Sequence, residues 1–139
     1  MAAARRGNYN FTVHSLLHEA GERRRSDGRR NCEDDHIIEL RLVVKALNQL
    51  PYGTYTHDGW QTQLVDFFNA HHRNYECLPD DQHQQKTHAV DKWIGRLEHL
   101  SNNEMEWINK IRDIWKQNRN RLRGFEQFKQ QLNSVLRMQ

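Results

Sequence analysis

Apolar residues recur at intervals of three and four positions along most of this chain. In the segment "HIIELRLVVKALNQL", Ile37, Leu40, Val44 and Leu47 follow this spacing. The spacing matches the turn of an α-helix and differs from the two-residue alternation of a half-exposed strand. Seven glycines and two prolines are also too few for the turns of an all-β sandwich. The sequence therefore predicts an all-α protein, a single compact domain of five or six helices.

The N-terminal half contains signals for three helices. A short helix is predicted over Phe11–Ala20, with Gly21 as its stop. Asn31 is a favourable N-cap for a second helix, because the three acids that follow within its first turn would complement the helix dipole. A third helix is predicted from about 58 to 73, since its large apolar residues share one side.

The C-terminal half contains stronger boundary signals. Pro79 with the following aspartates starts the fourth helix. The segment "SNNE" has the form of a capping box, with Ser101 at the N-cap and Glu104 three residues later, and it opens the fifth helix. Gly124 is predicted to separate this helix from the last one.

Composition suggests where the chain divides and where the protein resides. We expect a basic, partly flexible N-terminal arm with one short helix over residues 1–30, and a helical core domain over 31–139. The chain contains no apolar stretch of membrane-spanning length, and its N-terminus lacks the apolar segment of a secretory signal. Two cysteines in such a chain favour reduced thiols. These features predict an intracellular protein, cytoplasmic or nuclear, without a membrane partner.

The segment "HHRNYECLPDDQH", residues 71–83, is rich in metal-binding residue types. Zinc sites use about four cysteine, histidine or acidic ligands, and Cys32, His36, Cys77 and His83 would form such a set. Their spacings match no familiar zinc signature, however. The favoured interpretation is a polar connection between helices, and we predict neither a metal nor another cofactor.

The sequence contains no established catalytic pattern. It lacks a glycine-rich phosphate loop, the zinc-protease motif HExxH and the nucleophile motif GxSxG. Cys77 and His83 are near one another in sequence, but proximity in a loop does not stabilise a thiolate. Asp80 and Asp81 after a proline are typical of a helix start. We therefore predict that the protein is not an enzyme.

Charge is distributed unevenly along the chain. Residues 110–137 contain eight basic and two acidic residues, whereas residues 76–106 contain three basic and seven acidic ones. Residues 5–30 contain seven basic and three acidic residues. In the fifth helix, basic residues at steps of four, three and four are predicted to form one stripe, made of Arg112, Lys116, Arg119 and Arg123.

Arginine-rich surfaces of this kind suit contact with phosphate groups. The charge pattern therefore predicts a nucleic-acid-binding accessory protein that contacts the backbone of DNA or RNA. The candidate binding residues are Arg112, Lys116, Arg119, Arg121 and Arg123, with Arg23, Arg24, Arg25, Arg29 and Arg30. Alternatively, these charges face solvent or balance the acidic middle of the chain.

A second hypothesis is a protein–protein interaction module, such as an adaptor, an inhibitor or a self-assembling subunit. The last helix has an apolar face formed by Phe125, Phe128, Leu132 and Val135. Such a face can dock into a groove of a partner or pair with a second copy in a homodimer. The alternative is that this face closes the core of its own domain.

Overall fold

A computed structural model describes residues 7–21, 33–70, 74–95 and 99–139, and these residues form six α-helices with a two-stranded ribbon. The prediction of an all-α domain with five or six helices is confirmed. The elements in chain order are α1 (Val13–Ala20), β1 (Glu33–His36), α2 (Leu40–Leu47), α3 (Trp60–Ala70), β2 (Tyr75–Leu78), α4 (Asp80–Ile94), α5 (Asn102–Asn118), a 3₁₀ turn (Arg119–Arg121) and α6 (Glu126–Val135). Among the described residues, no helix is both long and apolar enough to cross a membrane.

Helix α1 is bounded by local signals close to the predicted positions. The Thr12 hydroxyl accepts a hydrogen bond from the Ser15 N–H, and the Ser15 hydroxyl accepts one from the Thr12 N–H. Gly21 ends the helix with φ of 71°, a left-handed conformation that costs glycine little. Leu16 and Ala20 are buried in the common core, so this part of the predicted arm packs against the domain.

The start predicted for the second helix is wrong. The three acids after Asn31 lie in the ribbon, where Glu33–His36 pairs antiparallel with Tyr75–Leu78, and α2 begins only at Leu40. The ribbon provides hydrogen-bond partners for the backbone N–H and C=O groups of both segments. The free energy gained in this way outweighs the modest preference of acids for the start of a helix. The segment interpreted as a polar connection thus contributes strand β2.

The predicted boundaries in the C-terminal half are confirmed. Helix α4 begins at Asp80, directly after Pro79. In the capping box of α5, the Glu104 N–H donates to the Ser101 hydroxyl over 3.2 Å, and the Ser101 N–H donates to the Glu104 carboxylate over 2.8 Å. Gly124 lies in the break between the 3₁₀ turn and α6, with φ of 77°.

Three aromatic rings from different helices form the centre of the core. Phe68 of α3, Trp115 of α5 and Phe128 of α6 are fully buried. The Phe68 ring centroid lies 6.0 Å from that of Trp115 and 6.0 Å from that of Phe128. Large rings in contact bury much apolar surface, so these residues hold the three helices together and fix the orientation of α5.

Candidate functional site

Arg112, the first residue of the predicted basic stripe, binds the C-terminal end of α6. Its Nε donates to the carbonyl oxygen of Leu136 over 2.9 Å, and its Nη2 donates to that of Arg137 over 2.8 Å. Its guanidinium also lies 5.6 Å from the ring centroid of Trp93. The carbonyl groups at a helix end have no partner within the helix and carry partial negative charge, which explains this contact.

Arg119 makes a similar contact from the 3₁₀ turn that follows α5. Its Nη1 donates to the side-chain oxygen of Asn133 over 3.1 Å and to the carbonyl oxygen of Gln139 over 3.2 Å. The same Asn133 oxygen accepts a hydrogen bond from the indole of Trp115 over 2.7 Å. Two of the arginines predicted to bind phosphate are therefore engaged in holding the end of the chain against α5.

The remaining predicted cations of this region face solvent. Lys116, Arg121 and Arg123 are exposed, and none of them has an ion pair or hydrogen bond with a described side chain. Arg123 does not belong to the helical stripe, because α5 ends at Asn118 and the chain then turns. The stripe within the helix is therefore shorter than predicted, while the exposed positive charge continues into the turn before α6.

Arg137 is a further exposed cation that the spacing of the sequence did not single out. It follows α6 with φ of 53°, and its guanidinium lies 4.1 Å from the ring centroid of Trp93, on which Arg112 also packs. This position depends on the left-handed turn after the helix, which no periodic pattern indicates. We call the exposed set of Lys116, Arg121, Arg123 and Arg137 the C-terminal basic surface.

The ion pairs among the described residues involve other cations than these four. Lys110 forms an ion pair with Glu76, which belongs to the acidic middle of the chain. This pair agrees with the alternative interpretation that the C-terminal basic residues balance the acidic middle. The other ion-paired cations of Lys and Arg type are Arg41 with Glu39 and Asp91, Lys86 with Asp35, Lys92 with Glu104, and Lys129 with Glu126. The C-terminal basic surface takes part in none of these pairs, so its charge is not compensated by a described carboxylate.

Five of the predicted phosphate-binding residues cannot be placed. Arg23, Arg24, Arg25, Arg29 and Arg30 lie outside the described residues. The prediction that they contact phosphate stays a prediction. The candidate site is therefore built from residues of the C-terminal segment alone.

The apolar face proposed as a partner interface lies inside the domain. Phe128 and Leu132 are fully buried, Phe125 is 6% exposed and Val135 is 9% exposed. Phe128 packs on Phe68 and Trp115 in the centre of the core. This is a correction to the interface hypothesis, because these side chains already bury their apolar surface within their own chain.

The described members of the candidate metal set, His36, Cys77 and His83, do not form a metal-binding cluster. Cys77 is disulfide-bonded, which contradicts the expectation of reduced thiols and removes its sulfur as a zinc ligand. The sequence has one other cysteine, Cys32, which lies outside the described residues. A ring nitrogen of His36 lies 2.6 Å from the side-chain oxygen of Asn69, and His83 contacts Asp35. Among the described residues, no three histidine, cysteine or acidic groups form a metal-binding cluster.

Asp35 is instead part of a buried ion pair that sequence reasoning missed. The Lys86 side chain is 1% exposed, and its ammonium pairs with the Asp35 carboxylate and donates to the His36 carbonyl oxygen over 2.6 Å. His83 Nε2 lies 3.3 Å from the other Asp35 oxygen. These contacts fasten β1 to α4, and they satisfy the buried charges within the protein.

The chain matches no protein-family model, no curated protein and no solved structure with which it was compared.

Proposed function

We propose that the protein binds nucleic acid through the phosphate backbone, using the C-terminal basic surface. The observation that carries this proposal is the set of exposed cations at Lys116, Arg121, Arg123 and Arg137, which have no described carboxylate partner. Exposed, unpaired Lys and Arg side chains contact phosphate without first breaking an ion pair. Binding of this kind gains free energy from the release of counterions condensed on the nucleic acid.

Arg112 and Arg119, which hydrogen-bond to the residues after α6, contribute indirectly to the C-terminal basic surface. Arg112 and Arg119 hydrogen-bond to uncharged carbonyl and amide oxygens, so each keeps its full positive charge next to the exposed cations. Both are also only half buried. They add to the positive potential of the surface and attract an anionic polymer. One exposed acid without an ion pair among the described residues, Asp113, lies near Lys116 on α5 and subtracts one charge from this potential.

The test is fluorescence anisotropy of labelled single- and double-stranded DNA and RNA at a series of salt concentrations. We expect affinity to fall steeply as salt rises. The variant that combines Lys116→Gln, Arg121→Gln, Arg123→Gln and Arg137→Gln should bind more weakly and flatten the slope of log affinity against log salt by about 3, since each lost phosphate contact contributes about 0.7 to 0.9.

A matched control removes one charge from a different face. Lys45 of α2 has no ion pair among the described residues and lies outside the C-terminal basic surface, so Lys45→Gln is compared with Lys116→Gln. We expect Lys116→Gln alone to reduce the salt slope. The proposal fails if the wild-type protein binds none of the four nucleic acids at low salt, or if the fourfold variant, still folded, binds as tightly as the wild type.

A further inference from the structure

Helix α1 carries two histidines, His14 and His18, on its solvent-facing side. They begin and end the segment "HSLLH", and both side chains are exposed. Residues four positions apart on a helix lie one above the other on the same face. The two imidazole rings are accordingly neighbours, with their centroids 6.4 Å apart and their planes inclined by 16°. The pair therefore presents ring nitrogens side by side to solvent.

Neither ring of this pair is engaged elsewhere in the described part of the chain. His14 and His18 form no side-chain hydrogen bond or ion pair with a described residue. His36 and His83 differ in this respect, because a ring nitrogen of His36 lies 2.6 Å from an Asn69 oxygen and His83 contacts Asp35. A ligand that approaches His14 and His18 thus displaces only water.

The backbone that carries the pair is held in position by the rest of the domain. Leu16, which lies between the two histidines, is 1% exposed and anchors the opposite side of α1 in the core. The Gly21 N–H donates to the His18 carbonyl oxygen over 3.0 Å, and the Thr62 hydroxyl donates to the Ala20 carbonyl oxygen over 2.8 Å. A site on such a preformed helix loses little conformational entropy when it binds a ligand.

We propose that His14 and His18 together bind one divalent transition-metal ion of the class that imidazole prefers, Zn²⁺, Ni²⁺ or Cu²⁺. Two histidines four positions apart on one helix face are a known arrangement of zinc ligands. Each imidazole nitrogen binds such an ion at about 2.0–2.1 Å, a position that both exposed rings reach by rotation of their side chains. A site of two histidines is consistent with the absence of three-residue metal clusters among the described residues.

The chemistry of this site is binding and not hydrolysis. The zinc-protease motif HExxH has its general base directly after the first histidine, and this chain has Ser15 there. The bound ion joins successive turns of α1, and its remaining coordination positions are open to water or to a further ligand. Because the ion binds the folded helix, it stabilises the folded protein. The site is separate from the C-terminal basic surface, so this inference does not depend on nucleic-acid binding.

The test is isothermal titration of Zn²⁺ into metal-free protein. The two imidazoles act as linked ligands, so His14→Gln or His18→Gln should each weaken binding by about 100-fold. A matched variant combines His18→Gln with Glu19→His, which keeps nine histidines but turns the second imidazole by about 100° around the helix. This variant should lose the same affinity. His88→Gln, at an exposed position on α4, should bind as the wild type does.

Thermal unfolding provides a second readout. We expect Zn²⁺ to raise the Tm of the wild type and to leave that of His14→Gln unchanged. Mg²⁺ should have no effect on either protein, because it prefers oxygen ligands. Circular dichroism without metal verifies that each variant is folded.

Three results would overturn the inference. One is that the wild type binds none of Zn²⁺, Ni²⁺ and Cu²⁺. Another is that the double variant His14→Gln with His18→Gln retains the wild-type affinity, which would place the ion on other residues. The third is that the variant with the displaced histidine retains full affinity, because the number of histidines and not their spacing on α1 would then account for binding.

Discussion

The Arg112 guanidinium of α5 donates a hydrogen bond to the carbonyl oxygen of Leu136, where α6 ends, over 2.9 Å. The spacing of basic residues assigned Arg112 to phosphate binding, but its hydrogen bond holds the end of α6 against α5. Its second hydrogen bond, to the Arg137 carbonyl, positions the residue that completes the C-terminal basic surface. The stability of the last helix and the arrangement of the exposed cations are therefore linked through one residue.

The first prediction concerns this contact. Replacing Arg112 by Gln removes two charge-assisted hydrogen bonds from the end of α6, and we expect the free energy of unfolding to fall by about 1–3 kcal/mol. Urea denaturation measures the change. Lys116→Gln on the next turn of α5 is the control and should have little effect, because Lys116 is exposed and bonds to no described residue. Equal stability of Arg112→Gln and wild type would show that the contact contributes nothing.

The second prediction concerns the buried pair of Lys86 and Asp35. Lys86→Met leaves the Asp35 carboxylate buried without its cation, and removal of one partner from such a pair costs about 3–5 kcal/mol. The double variant Lys86→Met with Asp35→Leu should recover part of that loss, because it leaves no unpaired charge. Denaturant unfolding of the two variants measures both effects.

The control for this pair is Lys92→Met. The Lys92 side chain is 38% exposed where it pairs with Glu104, so its loss should cost at most about 1 kcal/mol. A Lys86→Met protein as stable as Lys92→Met would contradict the assigned role of the buried pair.

The third prediction is a pH dependence that arises from the capping box of α5. The hydrogen bond from Lys92, with that from the Ser101 N–H, lowers the pKa of Glu104 from 4.5 to about 2. Because the pKa is lower in the folded protein, the stabilisation is complete above about pH 4.5 and is lost as the pH falls toward 2. The stability difference between wild type and Glu104→Gln should therefore be constant above pH 5 and shrink below it.

Thermal unfolding of the two proteins between pH 2 and pH 7 tests this dependence. Glu106→Gln is a suitable comparison, since Glu106 is exposed and forms no ion pair among the described residues. A stability difference for Glu104→Gln that stays the same down to pH 2 would contradict the prediction.

The fourth prediction distinguishes a core role of α6 from an interface role. Phe128 is fully buried against Phe68 and Trp115, so Phe128→Ala should lower the free energy of unfolding by about 3–5 kcal/mol. Sedimentation of wild type and variant at several concentrations should show the same oligomeric state. A variant that stays stable but changes its oligomeric state would restore the hypothesis that this face binds a partner.

Local signals in the sequence predicted a large part of the fold. The capping box at Ser101 and Glu104, the start of α4 after Pro79 and the break at Gly124 were all placed correctly. The site was predicted less well. Lys116, Arg121 and Arg123 are exposed as expected, but the spacing that identified Arg112 could not reveal that a helix end 24 residues away accepts its hydrogen bonds.

The amino-acid sequence by itself determined the number of helices and several of their ends, because caps and periodic apolar faces depend on residues within a few positions of one another. Contacts between distant segments determined the rest. The β1–β2 ribbon replaced a favourable helix start, Lys86 reached Asp35 across 51 positions, and packing on Trp93 placed Arg137 beside Arg112. Contacts of this kind form only when distant segments meet in the folded protein, so no pattern of neighbouring residues in the sequence predicts them.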